Sequence, residues 1–304
     1  MLSPLPPFDG ATLWQDNALT VARYEMTALE KNILYMVMAS IKKDDAPNTL
    51  YRVSAKELMA LTGEAVKVAD LQQATKRLIT RFFETTLPNG HLLQATFVAS
   101  AQYMTGQGII ELELSQKVRP LYVELKERFT TMQLHTALTL NSKYAKRLYE
   151  LFSMHKNLPD KSFCIEVQQL KRQLDIIDPQ TGKDRYAKWT HFKNRVLDPA
   201  EHEINAKADL SFSYRALKEG RSVTQIEFTV HYLAKEPIVA YEGPNAAVFG
   251  RLLTHFGLRQ DQAHQVISQR SLADINRQLH KIQLRVLNGE VENVGAYTAK
   301  LFGV

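Results

Sequence analysis

Apolar residues in this chain recur at two spacings, three-to-four and two, and the switches between them predict its elements. Thr27-Ala28-Leu29-Glu30 is a capping box opening a helix whose buried stripe runs Leu29, Ile33, Met36, Val37 and Ser40. After a polar turn, Lys42 to Asn48, Tyr51-Arg52-Val53 is a short strand. Ser54-Ala55-Lys56-Glu57 is a second capping box, for a helix that stops near Gly63. A third helix is expected from Val68 to Phe83, apolar on Leu71, Ala74, Leu78 and Phe82, polar on Gln73, Lys76, Arg77 and Thr80. Pro88-Asn89-Gly90 marks a turn, and strands flank Thr105-Gly106-Gln107-Gly108. There Ile110, Leu112 and Leu114 alternate with Glu111 and Glu113. A helix through Leu121, Leu125 and Phe129 then leads to a boundary expected within Thr130 to Thr139.

The series then restarts. Asn141 or Ser142 caps a helix, Lys143 to Lys156, that buries Tyr144, Leu148, Leu151 and Phe152. Phe163-Cys164-Ile165 is a short strand, and Val167 to Leu174 a helix with Leu170 and Leu174 inside. At about 100° per residue, Trp189, Phe192, Val196, Leu197, Ala200 and Ile204 form one apolar sector of the next helix. His191, Asn194 and Arg195 fall opposite, with Lys188 and Thr190 at the edges and Lys193 nearer the core side. Asp198-Pro199 predicts a bend there, with Asp198 restarting the helix as an N-cap. Leu210, Phe212 and Tyr214, then Ile226, Phe228 and Val230, alternate as two strands around Lys218-Glu219-Gly220-Arg221.

The two series superimpose. Tyr51-Arg52-Val53 matches Phe163-Cys164-Ile165, and Leu58 matches Leu170, at an offset of 112 residues. Arg77-Leu78-Ile79 matches Arg195-Val196-Leu197, and Leu71 matches Trp189, at 118. Extra residues in Asp178 to Lys183 account for the drift. Helix, strand, helix, helix, hairpin therefore occurs twice. The fold class expected is α+β, with two tandem winged-helix domains plus a small C-terminal helical segment. The divisions expected are an arm over 1–17, a first domain over 18–136, a second over 137–235 and a helical domain over 244–304. Helices in the last part are expected at Ala246 to Phe256, Gln262 to Gln269, Ser271 to Val286 and Val294 to Leu301.

Composition narrows the function. An excess of 38 Lys and Arg over 32 Asp and Glu, giving +6, suits a polyanionic partner. A single cysteine, Cys164, excludes an internal disulfide and a cysteine-based zinc site. No apolar run reaches the roughly 18 residues of a membrane span, and the first residues do not read as a signal peptide, so a cytoplasmic location is expected. Enzymatic signatures are missing: no GxxxxGK[ST], no GxSxG, no HxH with a tyrosine, and no histidines at metal spacing. No enzymatic activity, cofactor or metal is expected. A helix followed by a basic hairpin is instead what a double-stranded DNA reader needs, with bases met by the helix and phosphates by the wing. Candidate DNA-contacting residues are Lys188, Thr190, His191, Lys193, Asn194, Arg195, Arg215, Lys218 and Arg221, with Gln73, Lys76, Arg77 and Arg81 in the first copy.

The passages LTVARYEMTALEKNILYMVMASI, YRVSAKELMALTG, DLQQATKRLITRFFE, GIIELELSQKVRPLYVELKERFTTMQL, SKYAKRLYELF, FKNRVLDPAEHEIN and YRALKEGRSVTQIEF cover most of the chain between Asn17 and Tyr232. Together they resemble the initiator Rep proteins of iteron-carrying bacterial plasmids, which are tandem winged-helix proteins. The resemblance implies binding to direct repeats in an origin, opening of an adjacent A·T-rich segment, and recruitment of the host initiator DnaA and the replicative helicase. It also implies a dimer that represses its own gene. The first domain would dimerise and touch DNA, and the second would carry the main recognition helix, here Ala187 to Ala206. The tail after Pro244 lies outside the resemblance; its VENVGAYTAKLF end is similar to helical tails on other replication proteins. A winged-helix regulator without origin opening, and a protein scaffold with solvated basic faces, remain as alternatives.

Overall fold

Thr27 starts the first long helix as its sequence requires. In the computed structural model its hydroxyl accepts the Glu30 N–H and the Glu30 carboxylate accepts the Thr27 N–H. The structure describes residues 11–87, 89–104, 106–125, 129–155, 161–232, 245–254, 256–287, 291 and 294–304. The chain forms two compact units, residues 1–233 and 234–304.

In the first unit, β1 (Thr12–Asp16) and α1 (Asn17–Val21) precede α2 (Ala28–Ser40). The arm expected up to residue 17 is therefore structured from Thr12 onward, because β1 pairs antiparallel with a distant strand, β7 (Phe129–Gln133), with Leu13 opposite Met132. Residues 1–10 lie outside the described residues. β2 (Leu50–Ser54) leads into α3 (Ala55–Thr62), which ends at Gly63 with φ +72°. Only a glycine adopts that left-handed conformation without strain. Ser54 caps α3, but Glu57 does not return the bond: its Oε2 is buried and unpaired among the described residues. α4 (Val68–Thr80) buries Leu71, Ala74 and Leu78.

The third helix was expected to reach Phe83, but it stops at Thr80. Phe82 and Phe83 belong to β3 (Phe82–Thr86), paired with β4 (Leu92–Thr96), where alternation sends Phe83 onto Phe97 and leaves Phe82 outside. β5 (Val98–Met104) and β6 (Ile109–Leu114) form the hairpin, and the sheet order is β2-β6-β5. The helix expected through Phe129 also fails: α5 (Pro120–Val123) is a single turn, and Phe129 opens β7. β7 and α6 (Leu134–Thr139) bury Met132, Leu134, Ala137 and Leu138, so the expected boundary near 136 falls inside packed structure.

α7 (Lys143–Met154), capped by Ser142, opens the second series. β8 (Ser162–Glu166), α8 (Val167–Gln173), α9 (Trp189–Phe192), a π-helical turn (Lys193–Leu197) and α10 (Asp198–Lys207) follow, then β9 (Leu210–Glu219) and β10 (Ser222–Tyr232). Sheet order β8-β10-β9 repeats β2-β6-β5, and the paired short strands, Tyr51 to Leu112 and Phe163 to Phe228, occupy equivalent places. Phe152 of α7 packs on Phe212 and Phe228 at centroid distances of 4.5 and 5.1 Å.

α7 also faces the other way. Its Glu150, fully buried, accepts Lys31 Nζ at 2.5 Å and Tyr35 OH at 2.9 Å on Oε1, and Tyr24 OH at 3.0 Å on Oε2. Arg147 pairs with the same carboxylate and donates to the Thr20 and Ala22 carbonyls. Lys146 Nζ donates to Asn32 Oδ1 and the Ala137 carbonyl. A single helix thus carries the aromatic core of one half and the ionic core of the other.

The second unit contains α11 (Ala246–Thr254), α12 (Gln260–Gln269), α13 (Leu272–Leu287) and α14 (Val294–Phe302). Their inner faces bury Phe249, Leu252, Val266, Ile275, Leu279, Ile282 and Phe302. Gly295 lies against the backbone of Gly257, where a Cβ would stand 2.8 Å from the Gly257 carbonyl oxygen. The expected linker, 235–244, and the Asn288-Gly289 stop lie outside the described residues.

Burial, together with the Lys31 ammonium, lowers Lys146 to about 7, and burial lowers Lys31 to about 8 against the pull of Glu150. Unfolded lysines hold their protons to about 10.4, so above pH 7 the folded chain binds fewer protons than the unfolded one. Stability from this source therefore rises with pH between 7 and 10.4, and falls as pH drops through 7. Urea denaturation is expected to show a gain of about 1 kcal/mol from pH 7 to 8. Lys146→Met flattens that step, where Lys31 still holds its proton; a wild-type profile already flat there contradicts the assignment.

Candidate nucleic-acid interface

The apolar sector of the second-copy helix goes inward as its periodicity requires: Phe192, Val196, Leu197, Ala200 and Ile204 are all buried. Lys188, Thr190, His191, Asn194 and Arg195 are exposed, so the five residues nearest the outward direction share one solvent face.

The expected bend and restart at Asp198 is replaced by something else. Pro199 lacks an N–H and its ring crowds the carbonyl four residues earlier, Arg195. The chain meets this by widening: the Asp198 N–H reaches back five residues to the Lys193 carbonyl, and helical backbone angles continue through Asp198. Asp198 does not cap. Its carboxylate accepts Lys193 Nζ at 2.9 and 2.7 Å and the Tyr214 hydroxyl of β9 at 2.5 Å. Burial works against the charged form of Asp198, but these two donors outweigh it and hold its pKa below the ordinary value. Lys193 is therefore already paired with a carboxylate of its own helix, at the surface, and the helix is tied to the first strand of its own wing.

At the wing, Gly220 turns the chain with φ +61° between Glu219 and Ser222. Lys218 and Arg221 beside it are exposed, and among the described residues no carboxylate pairs with either. Arg215 is 70% exposed but bonds Glu227 through Nε and Nη2, at 2.9 and 2.8 Å.

The first-copy residues divide differently. Gln73 and Lys76 are exposed on α4. Arg77 lies 3.9 Å from the buried Glu30 carboxylate. Arg81, expected to meet DNA, is committed instead: Nη1 pairs with Glu25 at 3.1 Å and Nε with Glu30 at 3.4 Å. The reason is that Arg81 caps the C-terminal end of α4, which brings its side chain back onto the capping-box carboxylate of α2.

Sequence reasoning missed a cleft of about 560 Å³ lined by Arg23, Arg81, Glu84, Asp175, Lys183 and Arg185, among others. Arg23 spans it, from Glu84 Oε2 to Asp175 Oδ1, both at 2.8 Å. Lys183 and Arg185 remain exposed just ahead of the helix. The run KDRYAKW carried that signal, but nothing local says that Asp184 turns away to pair with the buried Lys171 at 2.6 Å.

Two family descriptions match this chain: the initiator replication protein WH1 domain over residues 12–153, and the initiator Rep protein WH2 domain over 166–230. The chain belongs to the initiator Rep family. The first match extends to 153, so it includes α7, consistent with the ionic contacts of that helix to α2. Among relatives, the PI protein of Escherichia coli is 26% identical over 242 residues, covering 69% of this chain and 78% of its own length. The fold is similar to that of the crystal structure of Pi initiator protein in complex with iteron DNA. The TM-score is 0.65 at 22% identity, over 75% of this chain and 99% of that one. A WH1 domain of a replication protein isolated from a multiple sclerosis patient aligns at a TM-score of 0.26 and 17% identity, over 32% of this chain and 78% of that one. Among the described residues, no helix is long and apolar enough to cross a membrane, and no group of three or more His, Cys, Asp or Glu is placed to hold a metal.

The pairing of Lys193 with Asp198 predicts unequal lysines. Lys188→Met is expected to reduce the slope of log affinity for DNA against log salt by about 0.9, the value for one released counterion. Lys193→Met reduces it by less than half as much, because its charge is already matched. Titrations by fluorescence anisotropy between 50 and 200 mM salt make the comparison; equal effects would show that the Lys193–Asp198 pair opens on DNA.

Proposed function

We propose that this protein is a plasmid replication initiator that binds direct repeats (iterons) in an origin. The observation carrying the proposal is the single exposed face of Lys188, Thr190, His191, Asn194 and Arg195, continued by the unpaired cations Lys218 and Arg221 on the adjoining wing. Asn194 suits adenine edges and Arg195 guanine edges in the major groove, while Lys218 and Arg221 neutralise phosphates. The likeness to a relative solved with iteron DNA supports the choice of ligand. Gln73, Lys76 and Arg77 add a smaller contact in the first half, and Lys183 and Arg185 extend the cationic lead into the helix.

Once bound, the protein opens an adjacent A·T-rich segment and recruits the host DnaA initiator and replicative helicase. As a dimer formed through the first winged-helix domain it binds an operator inverted repeat and represses its own gene. The working location is the cytoplasm, on plasmid DNA, and the role is binding rather than catalysis. The first winged-helix half serves dimerisation and auxiliary contacts, the second serves reading, and 244–304 is a separate helical unit.

Contact with about six phosphates gives a salt slope near −5. Arg195→Ala or Asn194→Ala is expected to cost about 1–3 kcal/mol on the correct repeat and less on random duplex. Lys218→Ala and Arg221→Ala weaken both alike. Equal losses on both DNAs from Arg195→Ala would take the helix out of the groove. Permanganate probing of a supercoiled origin tests the opening step: reactive thymines beside the occupied repeats are expected. Tight binding with no reactive thymines would leave a winged-helix transcription regulator.

A further inference from the structure

We propose that Arg23 is a positioning residue for DNA binding: it clamps the first winged copy to the turn that leads into the second-copy helix, and so sets the angle between them. The proposal rests on the reading of both copies as DNA-binding. The cleft of about 560 Å³ takes one wall from each copy, Arg23, Arg81 and Phe82 on one side and Asp175, Asp178 and Gln180 on the other. Arg23 crosses it with all three guanidinium nitrogens in use. Nη1 donates to Glu84 Oε2 at 2.8 Å, and Nη2 and Nε donate to Asp175 Oδ1 at 2.8 and 3.1 Å. The Arg23 side chain is only 20% exposed, so the clamp is better shielded from water and salt than a surface ion pair. The planar fork suits two carboxylates at once, which a lysine cannot hold in fixed geometry.

Both ends of the clamp are anchored. In the first copy Arg23 and Glu84 exchange backbone bonds, N–H to O=C at 2.9 and 3.0 Å, so the cation stays on the β3–β4 hairpin. At the other end, Asp175 is the only non-glycine among the described residues with a positive φ, +52°. That left-handed conformation is uncommon for a residue with a Cβ, and Asp tolerates it better than most. It turns the chain just after α8 and delivers the carboxylate to Arg23. The next residue, Ile176, accepts the Arg185 N–H at 3.1 Å, which closes the intervening loop just ahead of α9. The far end of the clamp is therefore the root of the helix that presents Asn194 and Arg195. The α7 contacts join the copies at one place, and a single attachment leaves rotation about it. A second attachment removes that freedom. With both copies on one duplex, slack between them lowers the effective concentration of one surface once the other has bound.

The test uses the full chain as Arg23→Gln, Asp175→Gly and both together, each checked for folding by circular dichroism. Glycine keeps the left-handed turn and removes only the carboxylate. Affinity for a random 30-base-pair duplex is measured by fluorescence anisotropy. Removing an acid from a DNA-binding protein tightens binding if charge alone matters, whereas loss of the clamp weakens it. Each single variant is expected to bind about three- to tenfold more weakly than wild type, and the double variant no more weakly than either, as for partners in one interaction. Tighter or unchanged binding by Asp175→Gly, or losses that add in the double variant, overturn the proposal. Nitroxide labels at Gln72→Cys on α4 and His202→Cys on α10, both exposed and with Cys164→Ser, report the angle without DNA. Their distance distribution is expected to broaden on Arg23→Gln, and an unchanged one in the folded variant equally overturns the clamp. A wild-type chain that binds no duplex removes the DNA-binding reading and this proposal together. A wild-type chain that binds, with discrimination lost on Arg195→Ala, keeps the initiator reading whatever the clamp variants do.

Discussion

Everything in the first unit is arranged around one carboxylate that water cannot reach. A buried charge is tolerable only when its lone pairs are met by donors. Glu150 recruits them from places far apart in sequence: Tyr24 ahead of α2, Lys31 and Tyr35 within it, and Arg147 one turn back on α7. Arg147 then reaches the Thr20 and Ala22 carbonyls and lies 4.0 Å over the Tyr24 ring. Apolar packing tolerates sliding; a carboxylate with four specified donors does not, since one missing donor leaves an unpaired charge in low dielectric. The ionic core therefore fixes where α7 sits against α2, and the Phe152 cluster on the other side of α7 fixes where the second winged sheet sits.

This helix also marks the limit of what the sequence discloses. Its apolar residues, Leu148, Leu151 and Phe152, announce themselves by spacing. Lys146, Arg147 and Glu150 look like an ordinary solvated face, because the partners that bury them lie more than a hundred residues away. The same limit explains the other misreadings. β7 is five residues long and exists because β1 pairs with it, a contact no local window contains. Phe82 continues the helical period of α4 by coincidence, and hairpin pairing with β4 claims it. Signals that are local survived: the Thr27 capping box, the Gly63 stop, the inward sector of Phe192 through Ile204, and the alternation of the hairpins. The doubled order of elements survived too, since each copy folds on its own short strand.

The two copies share a topology and differ in charge. On α4 the cations nearest the helix end are drawn to Glu25 and Glu30, carboxylates that the capping box and its approach already placed there. On the second-copy helix the corresponding cation, Arg195, pairs with no carboxylate among the described residues and stays exposed. The first copy adds the β3–β4 hairpin, and the second adds the Asp178 to Lys183 turn and the exposed cations that follow it. Equivalent folds thus present one surface mostly neutralised and one left positive.

The π turn connects this charge argument to geometry. A helix in the major groove and a wing on the backbone must hold one angle between them, or gains at one are lost at the other. Pro199 removes a ladder bond where the exposed polar face ends, which would ordinarily leave a hinge. The five-residue closure from Asp198 to Lys193 keeps the helix continuous, and the same Asp198 side chain crosses to Tyr214 on the wing strand. Lys193 completes the arrangement by pairing with the Asp198 carboxylate at 2.7 Å. What looks in sequence like a helix breaker beside a surplus lysine is, in the folded chain, the joint that ties the helix to its hairpin.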